Sequence, residues 1–160
     1  MPPFNPSSLR AGDCLLYRPR DFIDYAIALK TWTKVSHVEI YDGQGFSLAS
    51  RNGIGVNRYP ARLKDIAAVR RPKEFDPLPA SAWFETVKGE GYDWQGLLCF
   101  ELAVRQGKQD QMFCSEFGTR LYRMAQTEPF DPAWDADRTP PAFFLVSNAF
   151  KTVWQDGDLF

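Results

Sequence analysis

The chain contains one histidine, His37, in the stretch Ser36-His37-Val38-Glu39-Ile40-Tyr41, and a cysteine, Cys114, in Met112-Phe113-Cys114-Ser115-Glu116-Phe117. The first stretch alternates small or apolar residues with polar ones, the pattern of a half-buried strand. The second marks the point where a polar, charged loop gives way to a helical pattern. A strand-borne imidazole and a cysteine at a helix start are the minimal parts for thiol nucleophilic catalysis. A free thiol has a pKa of about 8.5 and is a poor nucleophile at neutral pH. Unpaired backbone N–H groups and the dipole at a helix N-terminus favour the thiolate, and a neighbouring imidazolium favours it further. Catalysis competes with a plainer role for each residue, a buried small hydrophobe for Cys114 and a structural strand residue for His37.

The elements that must position this pair are legible in outline. Gly12-Asp13 is a turn, followed by a buried-strand pattern over Cys14-Leu15-Leu16-Tyr17. Asp21 to Lys30 reads as a short amphipathic helix with Phe22, Ile23, Ala26 and Ile27 on one side, and Tyr25 and Leu29 flanking them. Ser36 to Tyr41 is a strand, Asp42-Gly43-Gln44-Gly45 a hairpin turn and Phe46 to Ser50 the return strand. Further strands are expected at Ile54 to Tyr59 and Ile66 to Arg70. Pro77 and Pro79 mark a boundary before a helix over Ala80 to Val87. Asp93 can cap a helix carrying Trp94, Leu97, Leu98, Leu102 and Val104; a polar loop from Gly107 to Gln111 follows. Ser115 to Met124 places Phe117, Leu121 and Met124 on one helical side, and Thr139-Pro140-Pro141 opens a last helix near Ala142 to Phe150. Strands followed by helices imply an α+β fold, and residues 1–160 form one domain.

Composition narrows the function. A formal net charge of −1 with scattered Lys and Arg gives no basic face for nucleic acid or an anionic membrane. Aromatic residues make up 15% of the chain, enough to fill a core or line a groove. Three cysteines, Cys14, Cys99 and Cys114, form no CxxC and argue against a disulfide framework; with one histidine they leave a zinc site short of ligands, so neither metal nor cofactor is expected. Cys14 and Cys99 sit in apolar contexts and read as core. No run approaches the roughly 18 apolar residues of a membrane span. The N-terminus lacks the basic and apolar regions of a secretory signal, so synthesis in a cytoplasm is expected, with delivery to a cell wall left to lysis, a phage particle or a secretion machine.

Gly12-Asp13-Cys14-Leu15-Leu16-Tyr17 followed by Ser36-His37-Val38-Glu39-Ile40-Tyr41-Asp42-Gly43 resembles the opening of the circularly permuted NlpC-type papain-like amidases, the group that includes YiiX-like and LRAT-like proteins. Gly55-Val56 with Tyr59-Pro60, Gly91-Tyr92-Asp93-Trp94, Phe113-Cys114-Ser115-Glu116, and Thr139-Pro140-Pro141 with Ser147 resemble later motifs of that group, in its permuted order. The resemblance covers most of the chain. It implies a permuted papain-like fold, Cys114 as nucleophile, His37 as general base and acid, and cleavage of an acyl bond through a thioester.

The third, orienting residue departs from the pattern. Relatives carry it on the strand after the histidine strand, where the aligned position here is Ala49. Glu39 is one substitute, because residues two apart on a strand share a face; its alternative is a solvent-facing strand position. Ser50 is another, through its hydroxyl or backbone carbonyl. Tyr17 is a candidate oxyanion contact or else a packed aromatic, and the backbone N–H of Cys114 or Ser115 could face the oxyanion. Glu116 reads as favourable first-turn charge, Arg51 and Arg58 as surface residues or contacts for a substrate carboxylate. The resemblance implies a peptide or acyl substrate: peptidoglycan stem peptides first, lipid acyl groups second. A binding or structural module that keeps the fold, such as a phage particle component, is a third reading. Oligomeric state is not encoded in any of these features.

Overall fold

The short apolar runs of the first half pair into one antiparallel sheet. The computed structural model describes residues 3–93 and 112–160. Six strands, β1 (Cys14–Tyr17), β2 (His37–Tyr41), β3 (Phe46–Arg51), β4 (Gly55–Pro60), β5 (Ile66–Pro72) and β6 (Phe150–Gln155), lie in the order β4-β3-β2-β1-β5-β6. The register sets Tyr17 opposite His37 and Leu15 opposite Glu39 across β1 and β2, and Tyr41 opposite Ser47 across β2 and β3. Because side chains alternate, Leu15, Tyr17, His37, Glu39, Ser47 and Arg51 fall on one face, and Cys14, Leu16, Val38 and Ile40 on the other.

That second face carries the main core. Helices α2 (Pro77–Val87) and α3 (Cys114–Met124) pack over it through Phe84, Phe117 and Leu121, with Tyr122, Phe144 and Phe150 closing one end. Trp83 stacks on Phe117 at 5.8 Å. Pro77 and Pro79 do not precede α2 but sit in its first turn, where a missing N–H costs nothing, and Asp76 caps it by accepting from the Leu78 N–H at 3.0 Å. Cys14 is sealed in this core; burial pushes its thiol up, against a hydrogen bond it shares with Tyr122, whose own hydroxyl donates to Gly12 O at 2.9 Å. The opposite face has a smaller cluster of Leu15, Tyr17, Ile66 and Val69.

Three expectations need correction. α1 (Phe22–Lys30) buries Ile27 and Ala28, while Phe22, Tyr25, Ala26 and Leu29 face solvent, so the covered strip is narrower than the apolar spacing implies. The last helix shrinks to one turn, α4 (Phe143–Val146), and Phe150 instead begins β6, which extends the sheet beyond β5. Met124 ends α3 half out in solvent, and Tyr122 takes its place in the core. The helix expected after Asp93, the loop to Gln111, and Cys99 lie outside the described residues.

Two constraints fix where the chain enters and leaves that stretch. Met112 N donates to Gly91 O at 3.2 Å, so residues 91 and 112 are joined directly. Gly55 adopts φ +91°, and a Cβ there would collide with the Glu90 carbonyl, so only glycine lets β4 pass beneath residue 90.

Gly118 lies inside α3, where glycine weakens a helix. A Cβ at this position would meet Phe144, Ile40 and Val38 at 3.5–3.6 Å, ordinary packing contact. Gly118→Ala is therefore expected to raise unfolding free energy by about 1 kcal/mol in a urea titration; a loss of stability would show that the α3–sheet contact has no room for a methyl.

Candidate active site

Cys114 is the first residue of α3, and Phe113 before it offers no side-chain cap. The first intrahelical bond is Phe117 N to Phe113 O, so the N–H groups of Cys114, Ser115 and Glu116 have no helical acceptor. They form a set of donors at the backbone beside the Cys114 thiol. The thiol is buried. The Ser115 hydroxyl is buried and has no partner among the described residues, while the Ser115 carbonyl accepts from Thr119 Oγ1 at 2.8 Å. Glu116 does not cap the helix; it pairs with Arg120 at 2.8 Å, and burial raises its carboxyl to about 7 against that partner.

His37 begins β2, at the end of the sheet where α3 begins, and its ring hydrogen-bonds both Cys114 and Glu39. Nε2 lies 3.1 Å from Glu39 Oε1, which leaves Nδ1 for the thiol. Burial disfavours the imidazolium, but the charge of and hydrogen bond with Cys114, then those of Glu39, outweigh it and hold the ring protonated up to about 9.

Glu39 is fully buried and is not a solvent-facing strand residue. Besides His37, its carboxylate accepts from Arg51 Nε at 2.9 Å and Nη2 at 3.1 Å, Arg62 Nη2 at 3.0 Å, Tyr17 Oη at 3.3 Å, and Ser47 Oγ. Burial alone would raise its pKa; the hydrogen bond and charge of His37, followed by Arg51 and Arg62, hold it well below the usual carboxylate range. An ionised carboxylate fixed to Nε2 orients the ring and stabilises its charged form, as the acid does in serine triads.

Other expected site residues are placed differently. The Tyr17 hydroxyl is turned to Glu39, its ring lies 5.9 Å from that of His37, and burial followed by the Glu39 charge keeps the phenol protonated. It supports the carboxylate and does not face Cys114. Ser50 donates to Met112 O at 2.5 Å, tying β3 to the residues just before Cys114 and leaving the ring to Glu39. Ala49 is buried and apolar; continuing the β2–β3 register puts it beside Glu39, flanked by Ser47 and Arg51. Arg58 pairs with Asp42 away from this cluster. Arg62, in the loop after β4, went unrecognised in the sequence, although a buried glutamate on a strand requires a cation from somewhere. Tyr92 is close enough to Cys114 and to Asp21 and Asp24 that their charges, after burial, push its phenol up.

A cavity of about 260 Å³ opens beside His37, with Tyr17, Arg51, Arg62, Asp21 and Asp24 in its walls. A larger apolar groove of about 680 Å³ lies elsewhere, lined by Trp134, Phe143, Val146 and Phe160. Among the described residues no helix is long and apolar enough to cross a membrane.

The chain matches no protein-family model and none of the curated proteins. The fold is similar to that in the crystal structure of the metalloprotein YiiX from Escherichia coli O157:H7 (DUF1105), with a TM-score of 0.68 over 92% of this chain and 97% of that one, at 16% identity. A metal does not fit the site described: no group of three His, Cys, Asp or Glu suited to an ion occurs among the described residues, and Glu39 is already spent on two guanidiniums.

The lone imidazole resonance in NMR is expected to titrate near 9, and its midpoint should fall in Glu39→Gln and in Cys114→Ala. Since the folded pKa is raised, the stability this proton adds is complete below about 6.5, the unfolded value, and is lost as pH rises through about 9. A midpoint near 6.5 would mean that neither partner acts on the ring.

Proposed function

We propose that this YiiX-like α+β domain is a cysteine hydrolase built on a permuted papain-like arrangement, with Cys114 as nucleophile, His37 as general base and acid, and Glu39 as the residue that positions His37. The observation that carries this reading is the imidazole hydrogen-bonded at once to a thiol at a helix N-terminus and to a buried, ionised carboxylate.

The chemistry follows from those positions. The thiol proton already rests on His37, and the Sγ thiolate attacks the carbonyl carbon of an amide. The oxyanion forms near the N–H groups of Cys114 and Ser115. Collapse expels the amine, which takes the proton from the imidazolium, and leaves a thioester on Cys114. A water that gives its proton to His37 then hydrolyses the thioester and restores the thiol. Peptidoglycan stem peptides, or related peptides, are the proposed substrates.

A second reading, acyl transfer or hydrolysis on a lipid, is favoured by one surface. Phe22, Tyr25 and Leu29 on α1, then Trp32 just after it, are exposed at helical spacing, and α1 also lends Asp24 to the His37 cavity.

The test is alkylation by iodoacetamide, with each cysteine quantified by mass spectrometry, followed by turnover of muropeptides and of acyl lipids. Cys114 is expected to react fast below pH 8 and to slow about tenfold in His37→Ala, because a thiol without its imidazolium partner loses roughly one pKa unit of thiolate stabilisation, while Cys14 stays protected. Because expulsion of the amine needs protonated His37, kcat/KM is expected to fall as pH rises through about 9. A Cys114 that titrates like a free thiol, indifferent to His37, would sink the hydrolase and leave a non-catalytic binding module.

A further inference from the structure

The cavity beside His37 contains more hydrogen-bonding capacity than the positioning of one imidazole needs. Arg51 and Arg62 both bind Glu39, yet neither is exhausted by it, and both stay partly exposed in the cavity wall. Each guanidinium carries five N–H donors. Arg51 spends two groups on Glu39, and Arg62 spends Nη2 alone, while its buried Nε has no acceptor among the described residues. Their planes are held fixed from behind: Arg51 lies 4.1 Å over the Tyr59 ring, and Arg62 lies 4.4 Å over the Tyr17 ring. Two rigid forks facing one small cavity are preorganised for a planar or tetrahedral oxyanion.

The other charged groups of the wall are committed elsewhere. Asp21 accepts from the Asp24 N–H and Asp24 from the Arg20 N–H, so both carboxylates serve the start of α1. Arg18 pairs with Asp156 at 3.0 Å, and Arg20 lies 3.8 Å from Asp65. The Arg51–Arg62 pair is thus the part of the wall whose guanidiniums are held in fixed planes by ring stacking and by Glu39, and it adjoins the imidazole that contacts the thiol.

We infer that this cavity is a substrate subsite for an anionic group, a carboxylate or a phosphate, which Arg51 and Arg62 hold beside the bond that Cys114 attacks; the inference rests on the hydrolase reading for its role in catalysis. Substrates with an acid group close to the scissile carbonyl are therefore the preferred class, and neutral analogues of the same shape lose binding.

His37 lines the cavity and is the chain's one histidine, so its NMR resonance reports occupancy without any turnover. Glutarate and glycerol 3-phosphate are titrated separately into the intact protein at constant ionic strength, with sodium chloride as the reference. A saturable shift with either probe is expected, with a Kd of about 1 mM for so small a ligand; the probe that binds more tightly identifies carboxylate or phosphate as the group recognised. Arg62→Gln is expected to weaken binding about tenfold through loss of a charge-assisted contact. Arg58→Gln, which lies outside the cavity, leaves binding unchanged and controls for nonspecific charge. Wild-type shifts no larger than those with chloride would overturn the subsite, and that measurement does not depend on any variant folding. Iodoacetamide labelling of the same samples separates the two proposals: saturable binding with an inert Cys114 keeps the subsite and sinks the hydrolase, and a reactive Cys114 without binding does the reverse.

Discussion

A carboxylate taken wholly out of water costs several kcal/mol unless its oxygens are fully engaged. Glu39 meets that condition with donors from five side chains, drawn from β1, β2, β3 and the loop after β4. Its demand explains features that look unrelated along the chain. Tyr17 turns its hydroxyl toward the carboxylate, Ser47 and Arg51 reach it from the next strand, and Arg62 folds back to join them. The same demand locks strand register. A slip of one residue between β1 and β2 would move Glu39 to the opposite face, among Val38, Ile40 and the α3 contacts, where no cation waits. The site and the sheet are therefore not separable: the group that orients the imidazole also holds three strands in step.

Much of this is legible in the sequence. The period-2 pattern around His37 places Glu39 on the same face as the ring, and the switch to a helical pattern at Cys114 marks a thiol at a helix start. The parity rule also contains Ser47 and Arg51, one residue pair either side of the position where the family pattern leads one to look, Ala49. Arginines were read as surface because long charged side chains usually are, and nothing local to Arg62 says that its head group is drawn inward over Tyr17. Such long-range pairing has no periodic signature. The α1 and C-terminal misreadings have a related cause. Apolar residues at helical spacing imply a buried stripe only when something covers it, and the short run after Pro141 stops after one turn because Phe150 pairs with Pro72 in the sheet.

Position, not residue type, separates the cysteines described. Cys14 and Cys114 are both buried, and both touch a polar side chain. Cys14 opens a buried strand beside Tyr122, where burial keeps its proton on. Cys114 meets a charged imidazole at a helix start whose amides have no helical acceptor. The contrast lies in what surrounds each sulfur, not in how deeply it is buried.

The hydrogen bond between Met112 N and Gly91 O ties two distant points of the chain directly together. Ser50 secures the same point from β3 through Met112 O. Closure entropy grows only slowly with length, by about 0.6 kcal/mol per doubling. The length of chain between Gly91 and Met112 can therefore change at little cost without shifting Cys114, whose anchor at Met112 is made by Gly91 and Ser50.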